Sequence, residues 1–331
     1  MAGLLARILF FCARILVCCS ALAPVHAGAQ SNPAQFPDKP VRIVVGFAPG
    51  GSSDIVARLL AQRLSPLLGQ PVVVENRPGA AGIPASDTVA KAPPDGHLLL
   101  LVTAGHPTAA AIMKKLPFDP VADFAWISTL TTYPFLITTG AQSPLKSLAD
   151  VVKQAKANPG KLSYASTGAG AAQHMLPEWF SAETGIELLH VPFKGGTQPV
   201  TEVMSGRIDL LFDTVTLLLP HVKSGKLHGI AVTSAQAMPY LAQVPAAAQT
   251  VPGYVFQSWL GVAAPPGTPR PIIERLNRDI RQVLAEAEVE KKLAELGGGA
   301  APSSPEEMRA QIESEIARWR KTVDARHIEK Q

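Results

Sequence analysis

The stretch Gly46-Phe47-Ala48-Pro49-Gly50-Gly51-Ser52-Ser53-Asp54 decides the fold. It follows an apolar, β-branched run over 41–47 and opens a helical pattern over 54–68. A chain that leaves a strand through glycines and enters a helix exposes unpaired backbone N–H groups, and the helix dipole adds partial positive charge there. Such a turn is an anion site. A second stretch of the same kind, Ser166-Thr167-Gly168-Ala169-Gly170-Ala171-Ala172-Gln173-His174, lies in the other half of the chain. One glycine loop is weak evidence, since every helix has an N-terminus. Two in separate halves point to a cleft that grips an anion from both sides.

Outward from the first loop, strands are predicted at 41–47, 72–75 and 98–103, with helices at 54–68 and 84–91 between them. Strand starts about thirty residues apart fit βαβ units in a parallel sheet. Pro93-Pro94-Asp95-Gly96 is a turn that launches the third strand. Around the second loop, strands are expected at 135–139, 162–166, 188–193, 210–212 and 229–233. Ser147 and Asp150 form a capping box for a helix that stops at Asn158-Pro159-Gly160, and a further helix is expected at 175–184. After Pro252 come an apolar strand at 259–264 and the Pro265-Pro266-Gly267 turn. Two helices finish the chain. Thr268 is expected to cap the first, with Pro269 at its opening position and an apolar stripe of Leu276, Ile280, Val283 and Leu284. Ser304-Pro305-Glu306-Glu307 is a capping box with proline at the first helical position for the last. Two α/β sets joined by extended segments imply an α/β protein of two lobes, with crossings near 129–135 and 254–261. In open α/β sheets ligands sit at the carboxyl ends of strands, where both glycine loops fall.

The 331 residues are near the size at which one core stops growing, and an apolar content of 47% with 17% charged residues describes a packed globular chain. The 30 prolines sit mostly singly, as punctuation between short elements. Residues 1–29 read as a cleaved export signal: Arg7 and Arg14 flank and interrupt an apolar run, and cleavage is expected near Ala27 or Ala29. Arg14 interrupts the run too early for a membrane span. Cys12, Cys18 and Cys19 all lie in that segment, so the mature chain is expected to have no thiol nucleophile, disulfide or thiolate metal site. Loss of two arginines takes the net charge from +4 to +2, which argues against nucleic acid as a partner.

Several ordered motifs resemble the Bug family, the extracytoplasmic solute receptors of tripartite tricarboxylate transporters. They are Val41-Arg42-Ile43-Val44-Val45 with the Phe47–Asp54 loop, Val74-Glu75-Asn76-Arg77-Pro78-Gly79-Ala80, Pro94-Asp95-Gly96, Tyr164-Ala165-Ser166 through His174, His190-Val191-Pro192-Phe193-Lys194-Gly195-Gly196, and Trp259-Leu260-Gly261. The resemblance covers essentially the whole mature chain. It implies a two-lobed periplasmic binding protein fold of type II character, with lobe 1 at 30–130 plus 255–331 and lobe 2 at 131–254. It also implies a periplasmic monomer that binds a small carboxylate, whether an amino acid, a di- or tricarboxylate or an aromatic acid, without a cofactor and delivers it to transporter membrane subunits. A receptor that signals to a membrane sensor kinase is the alternative. Gly82-Ile83-Pro84-Ala85 lacks the usual second glycine pattern, Ala237 stands where a basic residue is common, and Phe193 where tyrosine is common.

The expected ligand-binding residues are Phe47, Ala48, Pro49, Gly51, Ser52, Ser53 and Asp54 in the first loop, then Thr103 and His106 after the third strand. To these are added Ser166, Thr167, Gly168, Ala169, Gly170, Gln173 and His174 in the second loop, with Lys194 and Asp213. Hydroxyls of Ser52, Ser53, Ser166 and Thr167 either donate to a carboxylate or cap their helices. Asp54 repels an anion, so it caps its helix or meets an amino group or water. Lys194 reads equally as a solvated loop residue, the two histidines as satisfied structural groups, and Arg77 as a tie across its turn. Micromolar affinity needs about 8 kcal/mol, which four or five hydrogen bonds to a charged group, at roughly 1.5–3 kcal/mol each, can supply before association costs. Enzymes are disfavoured. His174 and Glu178 could pair on a metal, but no H-E-x-x-H, G-x-S-x-G or Walker motif is present. The Gly168–Gln173 run departs from a dinucleotide fingerprint at Gln173, and no acidic residue ends the next strand.

Overall fold

The computed structural model describes residues 36–325 and 327–331. The expected export signal, its cleavage site and the three cysteines lie outside the described residues. No helix among those described is long and apolar enough to cross a membrane.

Strands β1 (Val41–Val45), β2 (Val72–Asn76) and β3 (Leu98–Thr103) pair in parallel, in the order β2-β1-β3. Helices α1 (Ser52–Leu68) and α2 (Ile83–Ala90) make the crossovers, and α3 (Gly105–Ile112) follows β3. Strand β4 (Ala125–Gly140) then runs for 16 residues. After α4 (Leu148–Ala157), the strands β5 (Ser163–Ser166), β6 (Leu189–Pro192) and β7 (Leu210–Thr214) form a second parallel group, with α5 (Ala172–Thr184) and α6 (Gln198–Met204) as crossovers. Helix α7 (Val215–Lys223) leads to β8 (Leu227–Val232), and β9 (Gln257–Ala264) returns to the first group. Helices α8 (Arg270–Leu284) and α9 (Ala287–Glu295), the short β10 (Gly299–Ala300) and α10 (Pro305–Ala325) complete the chain.

Two antiparallel strands tie the groups together. β9 pairs with β3 on one side and with the first part of β4 on the other, as far as Pro134↔Gln257. From Phe135 onward β4 pairs instead with β7 and β8. Proline cannot donate to a ladder, and Pro134 stands where the ladder changes partner. Only 135–139 had been expected as strand here, because Ser128, Thr129, Thr131 and Thr132 hide the rest. Their hydroxyls are satisfied sideways: Thr131 donates to the Gly299 carbonyl at 2.8 Å and Thr129 to that of Ala301.

Alternation along the strands sends side chains into two cores, as expected of a sheet covered on both faces. In β3, Leu98, Leu100 and Val102 join one core while Leu99 and Leu101 join the other. The first core takes α2, α3, α4, α5 and the apolar stripe of α10 (Met308, Ile312, Ile316, Trp319, Val323). The second takes α1, α6, α7 and α8. Both expected capping boxes form. Ser147 accepts from the Asp150 amide at 3.1 Å, and Ser304 from the Glu307 amide at 3.1 Å while the Glu307 carboxylate accepts from the Ser304 amide at 2.8 Å.

Thr268 does not cap α8. Its hydroxyl donates to the Pro265 carbonyl at 2.8 Å, closing the preceding turn, and Pro269 takes the cap position with no side-chain bond. Three helices, not two, finish the chain, because α9 intervenes. α3 and α7 also went unread. Every residue of α3 is buried, so it carries no polar–apolar period, and α7 is apolar over Val215–Leu219 with a proline inside.

Candidate functional site

The loop from β1 to α1 has room only for its own sequence. A Cβ on Gly46 would lie 2.6 Å from the Gly82 Cα, and Gly50 holds φ +85°. Gly51 caps α1 without a side chain, so the first-turn amides are left for something else. The loop from β5 to α5 ends likewise: Ala171 is the cap, again with no side-chain bond, after Gly168 at φ +108° and Gly170 at φ +81°.

These uncapped helix starts line opposite sides of a cavity of about 40 Å³. Gly51, Ser52 and Ser53 line one side; Thr167, Ala171, Ala172 and Gln173 line the other. Thr103, Gly105, Tyr133, Ser258, Asp213 and Thr214 supply further polar wall, and Phe47, Phe135, Leu217 and Leu260 the apolar part. Gly195 and Gly196, from the turn after β6, close it against the first loop. There the Ala48 amide donates to the Lys194 carbonyl at 3.2 Å, and Ala48 and Gly195 form a parallel bridge. Opposite, the Thr108 hydroxyl donates to the Gly170 carbonyl. Contacts between the two strand groups thus flank the cavity on both sides.

No lysine or arginine lines this space. Its polarity comes from backbone amides and hydroxyls, with one carboxylate. Tyr133 is buried beside Ser52 and Ser258 on the cavity wall, and burial raises its pKa well above the usual phenol value. Asp213, 3% exposed at the end of β7, is pushed up to about 6 by desolvation, against the Thr214 amide at 2.6 Å and the Gln173 amide nitrogen at 3.2 Å. The Thr167 hydroxyl donates to the Gln173 carbonyl oxygen at 3.1 Å, which fixes the direction of that amide.

Of the residues expected from sequence, Phe47, Gly51, Ser52, Ser53, Thr103, Thr167, Gln173 and Asp213 are on the cavity wall. The others stand behind it. Asp54 accepts from the Gly50 amide at 3.1 Å, from Asn76 at 3.0 Å and from two nitrogens of Arg58, so it braces the first loop. Its carboxyl is lowered: burial raises it, but the bonds from Arg58, Gly50 and Asn76 outweigh that. Ser166 bonds to His190 and accepts from the Gly168 amide at 3.0 Å. His174 accepts from the Gly170 amide at 3.2 Å and stacks on His190 at 4.3 Å. His106 bonds to the Pro120 carbonyl at 2.8 Å among Phe118, Phe124 and Trp126, and burial holds it down to about 4. Gly168 and Gly170 shape their loop against Ala80 and Ala109, and Ala169 is off the wall. Ala48 and Pro49 face the Gly195–Gly196 turn, and the Lys194 side chain is exposed.

The wall residues unread in the sequence are chiefly Tyr133, Ser258, Gly105, Gly195 and Gly196. Gly195 and Gly196 stood inside a quoted motif, where Lys194 drew the attention by its charge. Tyr133 and Ser258 lie on the tying strands, in segments read as connections. Arg77 does tie its turn, donating to Glu75 at 2.7 Å and Thr88 at 3.2 Å. Glu178 accepts from the Tyr164 hydroxyl at 2.6 Å, and no acidic, histidine or cysteine cluster suited to a metal occurs among the described residues.

Comparison with known proteins gives the same picture. Residues 56–328 match the family described as Tripartite tricarboxylate transporter family receptor. A UPF0065 protein from the tcbD-tcbE intergenic region of Pseudomonas sp. strain P51 is 37% identical over 290 residues, covering 87% of this chain and 86% of that one. The periplasmic binding protein BugD superposes with a TM-score of 0.85 at 33% identity, over 89% of this chain and all (100%) of its own. A protein of R. palustris solved with adipate gives 0.84 at 34% identity, over 88% and 98%. By extent and identity together, the chain belongs to the tripartite tricarboxylate transporter receptor family, with the two-lobed periplasmic binding protein fold.

Proposed function

We propose that this protein is a periplasmic receptor that captures one small carboxylate between two lobes and hands it to transporter membrane subunits. The observation that carries this reading is the pairing of two uncapped helix starts, α1 and α5, across one cavity lined by no basic side chain. Neutral donors that converge on an enclosed point hold an anion without the desolvation cost of a buried arginine. The relative solved with adipate supports a carboxylate as the ligand class.

Lobe 1 would comprise 30–130 and 255–331, and lobe 2 131–254; the change of ladder partner at Pro134–Phe135 supports the first boundary. β4 and β9 then act as the hinge strands, and closure excludes water from the anion. The protein works as a monomer by binding and release, without turnover. Ligand-stripped protein should be tested by thermal unfolding against short mono- and dicarboxylates and their amides. Stabilisation by an acid and not by its amide is the expected result. A protein unmoved by every acid, or moved equally by the amides, would refute the reading.

A further inference from the structure

His174 is buried in the first turn of α5, behind the cavity wall, where it holds the loop that lines the wall. Its Nδ1 accepts from the Gly170 amide at 3.2 Å, while the Gly170 carbonyl accepts from the Thr108 hydroxyl of α3. One residue of the second loop is thus gripped from both strand groups. The fit against α3 is tight: a Cβ on Gly170 would lie 3.2 Å from the Ala109 Cα and 3.3 Å from the Ile112 Cγ2.

An imidazole accepts at Nδ1 only while that nitrogen carries no proton. A proton there sets donor against donor, Nδ1–H against the Gly170 N–H, in a buried place where an unmade bond is costly. The surrounding groups do not relieve this. His190 of β6 stacks on His174 at 4.3 Å, and Tyr164 of β5 lies at 6.5 Å with its hydroxyl given to Glu178, one turn further along α5. His190 bonds to Ser166, whose hydroxyl accepts from the Gly168 amide at 3.0 Å in the same loop. From α3 comes Thr108, whereas His106 is turned to the Pro120 carbonyl. Asp213 of β7 is bonded to the adjacent Gln173 at 3.2 Å. Burial and the neighbouring His190 hold His174 down to about 4, and burial also lowers His190 and raises Glu178. The cluster is built for neutral imidazoles.

Resting on the receptor reading above, we propose that His174 is a positioning residue for the second anion loop and makes capture proton-linked. Neutral, it fixes the Gly170 amide and so the loop that meets α3. Protonated, it releases Gly170, the Thr108 bond is lost with it, and the bound acid leaves. The proton is taken up as the loop opens, because only the open loop frees Nδ1–H from facing a second donor. By linkage, each proton taken up on opening weakens capture by up to about tenfold per pH unit.

Hydrogen exchange on ligand-stripped wild-type protein between pH 7.5 and 4.5 tests the loop itself. Corrected for the intrinsic rate, the Gly170 amide should lose at least tenfold of its protection while the β1 amides keep theirs. His174→Gln should show no such local loss, whether or not its side-chain oxygen catches the Gly170 N–H. A Gly170 amide that stays protected, one that loosens only together with β1, or a loss that survives in His174→Gln overturns the proposal. Calorimetry with succinate, adipate and glutamate then reads release. For each acid that binds at pH 7.5, affinity at pH 5 relative to pH 7.5 should fall at least threefold further in the wild type than in His174→Gln. Ionisation of the acid and of Asp213 is common to both proteins and cancels in that ratio. Equal falls overturn the proposal and leave the carboxylate receptor intact. If no carboxylate binds even at pH 7.5, where His174 is neutral, the receptor reading fails and proton-linked capture fails with it.

Discussion

Replacing Gly196 by alanine should weaken ligand binding in addition to the fold. Gly196 follows β6, holds φ +74°, and packs on the first glycine loop: a Cβ there would lie 2.9 Å from the Pro49 carbonyl oxygen and 3.1 Å from the Ala48 Cβ. Two costs can be separated. The left-handed backbone costs an alanine roughly 1–2 kcal/mol whatever the state of the cleft. The collision with Pro49 and Ala48 exists only while the two loops meet. Overpacking of this kind costs about 1–3 kcal/mol, or roughly a 5- to 150-fold loss of affinity at 1.4 kcal/mol per factor of ten. Gly185 is the control. It ends α5 at φ +63°, and nothing lies within 4 Å of its would-be Cβ. Gly185→Ala therefore carries the backbone cost without the collision. Thermal unfolding of both variants without ligand, followed by calorimetric titration with the tightest acid found for the wild type, separates the two. Both should lose a few degrees, and only Gly196→Ala should lose affinity. Equal affinities for the two variants would refute the argument that these loops meet around bound ligand.

Three further outcomes are expected. His174 is held down to about 4 by burial and by His190, against about 6.5 in an unfolded chain; the unfolded state thus binds more protons between those values, and stability should fall as pH drops from 6.5 to 4. His174→Gln should flatten that part of a pH series of melting temperatures. Asp213 has the opposite sign: at about 6 against 3.8 when unfolded, it destabilises the ligand-free fold above pH 6, and that cost fades as pH falls toward 4. Asp213→Asn should therefore stabilise ligand-free protein at pH 7.5 by an amount on the order of 3 kcal/mol, read as a higher melting temperature, and lose that advantage at pH 4. Ser304→Ala removes the hydroxyl that accepts from the Glu307 amide, and should cost about 1 kcal/mol in chemical denaturation without changing ligand affinity.

What the sequence disclosed follows the range of the forces involved. Parallel strands joined by helices, and caps such as Ser147 and Ser304, are set by neighbours in the chain, so β1 to β3, β5 to β7 and both capping boxes could be read directly. α3 could not, because burial on every side erases the period by which a helix announces itself. The site divided along the same line. Glycine loops ahead of helices mark backbone donors locally, and Ser52, Ser53, Thr167 and Gln173 are indeed on the cavity wall. Polar residues inside the same loops were indistinguishable from them by type. Asp54 and Ser166 turn away because their partners, Arg58 and Asn76 for one and His190 for the other, compete for them more effectively than solvent does. Tyr133 and Ser258 reach the cavity only because β4 and β9 pair side by side, with Tyr133 opposite Ser258 in the ladder.

That pairing also places a cavity-lining group beside the proposed hinge. Tyr133 and Ser258 lie at the end of the β4–β9 ladder, one residue before Pro134, where β4 changes partner. Tyr133 lines the cavity together with Ser52 at the start of α1, so β4 and the first glycine loop meet on one wall. Rotation of the β5–β7 group about this point would move the α5 amides and Asp213 together, since Asp213 ends β7 and Gln173 in α5 donates to it. On the proposed division into lobes, recognition would be split: hydroxyls and amides of α1 on one lobe, amides of α5 and the Asp213 carboxylate on the other. A ligand that satisfies only one lobe gains nothing from closure. One that bridges both converts its hydrogen bonds into a closed cleft, which is the state a membrane partner can distinguish from the empty receptor.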